Sequence, residues 1–151
     1  MSRKSKGINA ERELLHKFWQ TGEWIAMRSP GSGAIRYPCP DLLAGKQGRK
    51  LAIECKATKA ERQYIRQEQV AELKRFSLIF GAEPCIAVRF DKEKWYFLML
   101  EDIKETEGSN YVITRDSAKN KGLLFEELVG GVSECREVSS HVPSRHRDNI
   151  S

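Results

Sequence analysis

A pair of predicted strands carries charged residues where a buried strand is normally apolar. Asp41 begins a short apolar run, and the polar, glycine-containing segment 46–49 separates it from a second run at 51–57. Two such runs joined by a short polar connection predict an antiparallel hairpin. Because alternate side chains of a strand share a face, Glu54 and Lys56 should stand side by side, with their Cα atoms roughly 6.5 to 7 Å apart.

The remaining elements follow from hydrophobic periodicity. The pattern predicts helices over 8–20 and 65–80, strands over 24–28, 84–90 and 95–100, a short edge strand over 111–115 and a short helix over 123–129. This order predicts an α/β protein in which a central mixed five-stranded sheet is flanked by helices. We expect one domain over residues 1–138 and a disordered polar tail over 139–151.

Composition limits the class of protein without fixing its function. The 151 residues are 40% hydrophobic and carry a formal charge of +5, which fits a polyanionic partner or simply a basic surface. The four cysteines lack a zinc-binding spacing, so reduced thiols and a cytoplasmic location are expected. No apolar run approaches membrane-spanning length, and no P-loop pattern is present. We therefore expect neither a membrane partner nor a small-molecule organic cofactor.

Three acids are predicted to point inward. Glu11 lies within the apolar stripe of the first helix, and Asp41 and Glu54 lie in the hairpin. Taken alone, Glu11 fits a helix start, where the macrodipole favours acids. Several inward carboxylates together are strongly unfavourable without a cation. Oxygen ligands favour Mg²⁺, with Mn²⁺ as a substitute, and the backbone carbonyl of Cys55 is a further possible ligand.

Lys56 would face the water at such a metal. It could orient that water, deprotonate it if burial lowered the lysine pKa, or stabilise charge developing on a phosphate. The sequence leaves these three roles open. A metal that activates water and binds phosphate is suited to phosphodiester hydrolysis. Ser32, in a loop rich in Gly, Ser and Pro, is by itself typical of a turn residue.

The arrangement resembles the PD-(D/E)xK nuclease motif, formed here by Pro40-Asp41 and Glu54-Cys55-Lys56. Between residues 6 and 100 the chain resembles the archaeal-type Holliday junction resolvases. The stretches that carry this resemblance are the motif itself, Lys6-Gly7, residues 11–14, residues 28–32, Lys59, Tyr64 and residues 76–84. The chain departs from that pattern in a longer segment at 34–39 and in everything after Leu100.

The resemblance implies a restriction-endonuclease-like core and a homodimeric, Mg²⁺-dependent endonuclease. Such an enzyme resolves four-way DNA junctions by paired symmetric nicks. The resemblance also assigns Glu11, Asp41, Glu54 and Lys56 to the metal and catalytic centre and places Arg28 and Ser32 near the scissile phosphate. The residues expected to contact DNA are Lys4, Lys6, Arg28, Ser32, Arg36, Lys59, Arg62 and Tyr64.

Paired cuts in a two-fold symmetric substrate call for two active sites related by a two-fold axis. Candidate residues for the dimer interface are Phe76, Ile79, Phe80, Trp95 and Phe97. The helix over 65–80 is apolar over more than one arc, which fits either a well-buried core helix or one that also contacts a second subunit. Two other functions remain open: another repair or restriction-like endonuclease of the same motif class, and a DNA-binding module without activity.

Overall fold

The computed structural model describes residues 3–30 and 36–130, with side chains from residue 7 onward. The predicted tail at 139–151 lies outside these residues. The elements in chain order are α1 (Arg3–Gln20), β1 (Ile25–Arg28), β2 (Leu42–Lys46), β3 (Arg49–Thr58), β4 (Arg62–Ile65), α2 (Gln67–Phe80), β5 (Glu83–Phe90), β6 (Trp95–Met99), a 3₁₀ turn (Leu100–Asp102), β7 (Lys104–Glu105), β8 (Tyr111–Thr114), α3 (Arg115–Lys121) and α4 (Phe125–Gly130).

A mixed five-stranded sheet with the order β1-β2-β3-β5-β6 organises the chain. The predicted hairpin is β2 and β3, which pair antiparallel with Leu42 opposite Ile53. β3 and β5 are parallel, and α2 lies in the connection between them, as parallel neighbours require a crossover. The two edge strands are antiparallel to their neighbours: β1 pairs with β2, and β6 pairs with β5. The predicted α/β class and mixed five-stranded sheet are confirmed.

Hydrophobic layers cover both faces of this sheet. On one face, Leu14 and Phe18 of α1 pack in a core cluster with Ile53. On the other, Leu73 of α2 packs in a second cluster with Ala52. Neighbouring residues of β3 therefore belong to opposite faces, which confirms the predicted alternation and places Glu54 on the α2 side with Ala52.

A second, three-stranded sheet with the order β4-β8-β7 was not predicted. The segment containing β4 was expected to be a polar connection, because Ile65 is the only aliphatic residue of the strand. Its pairing with β8, in which Tyr64 lies opposite Val112, joins segments far apart in sequence. The predicted edge strand over 111–115 therefore lies in the middle of this sheet as β8.

The interface prediction was wrong for two residues. Trp95 is 3% exposed and Phe97 is 1% exposed, and both pack in the core with Phe125. Side chains enclosed by their own subunit are not available to a second one. Strand β6 is strongly apolar because both of its faces are covered, a pattern that an interface strand would also produce.

The described cysteines, Cys39, Cys55 and Cys85, are free thiols. In the same part of the chain, every helix falls short of the length and apolarity needed to cross a membrane.

Candidate active site

Asp41 and Glu54 meet where strands β2 and β3 separate. The antiparallel ladder ends with Leu42 opposite Ile53, so the next position along each strand brings Asp41 opposite Glu54. Asp41 Oδ2 accepts a hydrogen bond of 2.8 Å from the backbone N–H of Cys55. The Cys55 N–H lies beyond the last paired residues of β2 and β3, and this contact supplies its hydrogen-bond acceptor. It also holds one oxygen of Asp41 against β3.

The two carboxyl groups are electrostatically unfavourable neighbours. The Glu54 side chain is 16% exposed, and desolvation, followed by the charge of Asp41, raises its pKa to about 8 despite the opposing charge of Lys56. A hydrogen bond to Asp41 and the charge of Glu11 contribute to the same rise in the Glu54 pKa. The site therefore holds more negative charge than its side-chain cations compensate.

Glu11 joins this group from α1 through an ion pair. Its Oε2 atom accepts a hydrogen bond of 2.9 Å from Nε of Arg28, at the end of β1. Desolvation and the charge of Asp41 raise the pKa of Glu11, whereas Arg28 and Lys56 lower it. Glu11 thus lies within electrostatic range of Asp41, and Arg28 occupies one side of the Glu11 carboxylate.

Lys56 lies between Glu54 and a residue that the sequence did not single out. Its Nζ atom is 4.0 Å from Oε1 of Glu54 and donates to Oε1 of Gln69 over 3.5 Å. Gln69 lies four residues before the buried Leu73 of α2, so helical spacing places it beside the buried stripe. That spacing is the signal that could have identified Gln69 in advance.

The donor set fits a hard divalent cation. Asp41 and Glu54 place carboxylate oxygens next to each other. The raised Glu54 pKa indicates that ionising both groups is unfavourable here, and a bound cation would offset that repulsion. Burial raises the pKa of the Cys55 thiol well above its ordinary value. Alternation along β3 turns this side chain toward the α1 face of the sheet, away from Glu54. Within residues 3–30 and 36–130, no three acidic, histidine or cysteine side chains form a cluster ready to hold an ion. Glu11 and the Cys55 carbonyl stay predicted ligands.

The loop between β1 and β2 is closed at its base. The backbone N–H of Ser29 donates to the carbonyl of Asp41 over 3.0 Å, and the Ser29 hydroxyl donates to the carbonyl of Pro40. Ser32 lies outside the described residues, so its predicted role stays a prediction. These two contacts place Ser29 directly beside Asp41.

The structure describes the side chains of some predicted DNA-contacting residues and not of others. Arg36, Lys59, Arg62 and Tyr64 are all exposed. Lys4 and Lys6 lie in the first turns of α1, and their side chains are outside the described part.

A cavity of about 200 Å³ next to Glu54 is lined by residues 38–40 and by α2, including Gln69 and Phe76.

An apolar surface extends from α2 to the sheet edge. Ile79 is 76% exposed and Phe80 is 47% exposed, while Phe76 is half-buried on the same flank of α2. Ile25 and Met27 of β1, which the sequence did not single out, are 61% and 60% exposed. Their alternation with buried Trp24 and Ala26 was the available signal. We call these five residues the apolar surface.

The α2 part and the β1 part of the apolar surface lie on the same face of the sheet. Lys50 lies over the Phe80 ring, with Nζ 5.2 Å from its centroid. Lys50 pairs with Gly45, and Gly45 pairs with Ile25, so the three residues are successive neighbours across β3, β2 and β1. Cross-strand neighbours share a face, which places Ile25 on the same side of the sheet as α2.

Comparison with known proteins gives one consistent family. The model described as archaeal Holliday junction resolvase (Hjc) matches residues 2–137. Crossover junction endodeoxyribonuclease Hjc of Archaeoglobus fulgidus is 36% identical over 133 residues, which cover 84% of this chain and 97% of that protein. Crossover junction endodeoxyribonuclease Hje of Saccharolobus solfataricus is 34% identical over 131 residues, with coverages of 85% and 93%.

A solved structure extends the similarity to the fold. The structure of A. fulgidus Hjc, described as a Holliday junction resolvase from an archaeal hyperthermophile, matches with a TM-score of 0.74 at 35% identity. The match covers 82% of this chain and 98% of that one. The predicted restriction-endonuclease-like architecture is therefore confirmed.

Proposed function

The chain belongs to the archaeal Holliday junction resolvase family, and on that premise we propose that it is a Mg²⁺-dependent endonuclease that resolves four-way DNA junctions by paired symmetric nicks. The observation that carries the catalytic part is the opposition of Asp41 and Glu54, with Lys56 beside them. Adjacent buried carboxylates that raise the pKa of Glu54 to about 8 are typical of a catalytic site and are not needed for DNA binding alone.

Each side chain has a role in this proposal. Asp41 and Glu54 hold the cation, which supplies the polarisation of a phosphodiester and the activation of water when bound. Lys56, held between Glu54 and Gln69, directs its ammonium group toward the phosphate or the attacking water. Arg28 stabilises negative charge on the phosphate while its contact with Glu11 fixes the guanidinium.

The proposed assembly is a homodimer that uses the apolar surface. Exposed aliphatic and aromatic residues gathered at one sheet edge and one helix flank are typical of a protein interface. Phe76 lines the cavity beside Glu54 and also belongs to the apolar surface, so the partner would lie close to the active site. Two sites related by a two-fold axis match the symmetry of the junction.

The test uses three DNA substrates of matched sequence: a labelled four-way junction, a flap and a linear duplex. Each is incubated with the protein in Mg²⁺, in Mn²⁺ or in EDTA. We expect cleavage of the junction in either metal, none in EDTA, and little cleavage of linear duplex. Equal cleavage of linear duplex would indicate a general endonuclease of the same motif class. Junction binding without cleavage would indicate a non-enzymatic module.

Paired cutting is tested on a supercoiled plasmid that extrudes a cruciform. Two nicks made within one encounter convert it directly to a linear product, whereas independent nicking releases a nicked circle first. We expect the linear product to appear without a lag. Accumulation of nicked circle at saturating protein would contradict coordinated cleavage.

A further inference from the structure

The cavity of about 200 Å³ beside Glu54 is large enough to hold part of the substrate. We call it the α2 cavity. We propose that it binds one nucleobase of the cleaved strand, extruded from the stack at a nucleotide next to the cut, and that it selects cytosine through Glu72. This inference rests on the proposed function and adds to it a preference for the base at the cut site.

The α2 cavity has apolar walls from two separate elements. One wall is the segment Pro38-Cys39-Pro40, which leads into Asp41, and the other comes from Leu73 and Phe76 of α2. Proline fixes the backbone φ angle, so the first wall is stiff. Leu73 is 4% exposed, so the core holds the second wall in place. Enzymes that act on an extruded base stack it between apolar side chains, and these two walls suit a flat ring.

The size of the α2 cavity favours a pyrimidine. A molecule of liquid water occupies about 30 Å³, so the cavity offers the room of about seven waters. That room fits a single ring with its substituents, whereas a two-ring purine needs more. Because Glu54 lines the cavity, the base that enters it belongs to one of the nucleotides that flank the scissile phosphate.

The charged groups of the α2 cavity disfavour a phosphate. Among the described residues that line it, the carboxylates of Glu54 and Glu72 outnumber the guanidinium of Arg66. Such a site repels an anion but accepts hydrogen bonds from the N–H groups of a neutral base. The α2 cavity therefore differs in its ligand from the basic residues that are expected to contact the DNA backbone.

The polar groups of the α2 cavity match the edge of cytosine. Gln69 and Glu72 are three residues apart and lie on one flank of α2. Cytosine carries an amino donor beside two acceptors, and a carboxylate accepts from that amino group. Gln69 Oε1 accepts from Lys56, which leaves the Gln69 amide N–H groups to donate to the acceptors of the base. Thymine would place a carbonyl oxygen against Glu72, where two acceptors repel each other.

A base in the α2 cavity would connect the shape of the substrate to catalysis. Extruding a base from a continuous duplex costs both stacking and pairing, and the cost falls where pairing is already weakened. The branch point of a junction interrupts the continuous duplex, so extrusion costs less there. The extruded base would contact Gln69, the residue that also holds Lys56. Cleavage would therefore be favoured where a base can leave the stack.

The base preference is tested with four-way junctions that differ only in the base pair on either side of the scissile phosphate. Single-turnover cleavage is compared for wild type, Glu72→Gln and the control Glu101→Gln, at an exposed position of the 3₁₀ turn. We expect wild type to cut a cytosine junction about tenfold faster than the matching thymine junction at one of these positions. Glu72→Gln should bring this ratio close to one by slowing cytosine cleavage, whereas Glu101→Gln should keep it.

Extrusion is measured in EDTA with 2-aminopurine placed next to the cytosine. The emission of 2-aminopurine rises when its stacking neighbour leaves, so saturating wild type should increase it. Glu72→Gln at saturation should lose most of this increase, and so should wild type when thymine replaces the cytosine. An equal increase in all three cases would come from a general opening of the junction and would overturn the assignment of the α2 cavity.

Failure of the proposed function gives a different result. If wild type cuts cytosine and thymine junctions equally at both positions, the α2 cavity proposal is wrong while the proposed function stands. If wild type neither binds nor cuts a junction, both are wrong. If it binds without cutting, the proposed function fails and the emission in EDTA still decides the role of the α2 cavity. Thermal unfolding of each variant confirms that a changed ratio does not come from lost structure.

Discussion

The Nε atom of Arg28 donates a hydrogen bond of 2.9 Å to Oε2 of Glu11, joining the last residue of β1 to the middle of α1. Both side chains are about one-fifth exposed, at 22% and 20%. Such a partly buried, charge-assisted contact fixes the orientation of both groups. The contact therefore holds Glu11, which lies near Asp41, against Arg28, the side chain proposed to face the phosphate.

Replacing Arg28 should disturb Glu11 in a measurable direction. In Arg28→Gln the hydrogen bond and the positive charge that lower the Glu11 pKa are lost, so that pKa should rise. Carboxyl NMR titration in EDTA measures it. Junction cleavage should fall on the order of a hundredfold, because one charge-stabilising donor is removed. Arg75→Gln, at an exposed position of α2, is the control, and an unchanged Glu11 pKa in Arg28→Gln would contradict the structural pair.

The acidic pair should be essential for cleavage and dispensable for binding. Asp41→Asn and Glu54→Gln remove carboxylate charge without changing side-chain volume, so cation binding should be lost and single-turnover cleavage should fall by roughly a thousandfold or more. Junction affinity in EDTA should be retained, since the proposed phosphate contacts come from cationic side chains and not from these two carboxylates. Glu68→Gln, at an exposed position of α2, is the control. Parallel loss of cleavage and binding would indicate a folding defect or a different site.

The metal-free protein should become less stable as pH rises. Glu54 has a folded-state pKa of about 8, above its ordinary value of 4.5, so the folded state retains a proton that the unfolded state has released between these values. Stability is therefore fully present below about pH 4.5 and declines toward pH 8, by an amount on the order of a few kcal/mol.

Thermal unfolding in EDTA between pH 5 and 8.5 measures this decline. Glu54→Gln should flatten the pH dependence because the titrating group is gone, and Mg²⁺ should restore stability to wild type at high pH. A pH dependence that is the same in wild type and Glu54→Gln would show that another group titrates.

Gln69 should act as a positioning residue for Lys56. In Gln69→Leu the acceptor for the Lys56 ammonium is lost while the side-chain size is nearly kept. We expect the cleavage rate at saturating protein to fall about tenfold, with little change in junction affinity. Gln67→Leu, two residues earlier in the first turn of α2, is the matched control because its side chain is exposed. A loss of affinity without a loss of rate would assign Gln69 to DNA binding instead.

The apolar surface should determine the oligomeric state. A charge at Ile79 or Met27 would have to be desolvated in an interface, which is strongly unfavourable. Ile79→Lys and Met27→Lys should therefore shift a dimer toward monomer in sedimentation at micromolar concentration. Ala71→Lys, on the other flank of α2, should not. The monomeric variants should still bind junction arms but lose paired cutting of the cruciform plasmid.

The local order of the chain determined a large part of the fold. Alternation in β3 assigned Glu54 and Lys56 to one face, and the polar turn at 46–49 fixed the hairpin that brings Asp41 opposite Glu54. Period-3.6 patterns located α1 and α2, and Gly81, with φ 79°, ends α2 as its sequence indicates. These features depend on neighbours in sequence, which is why they could be predicted.

Only the tertiary structure decided what depends on distant partners. β4 is a strand because β8 pairs with it, Gln69 reaches Lys56 because α2 crosses β3, and Arg115 spans two loops far from it in sequence. The same applies to Trp95 and Phe97, whose apolar character fits a core or an interface equally well until α4 covers them. The sequence determined which residues are candidates for the chemistry. Packing decided which of them meet, since burial and contact are properties of the whole fold.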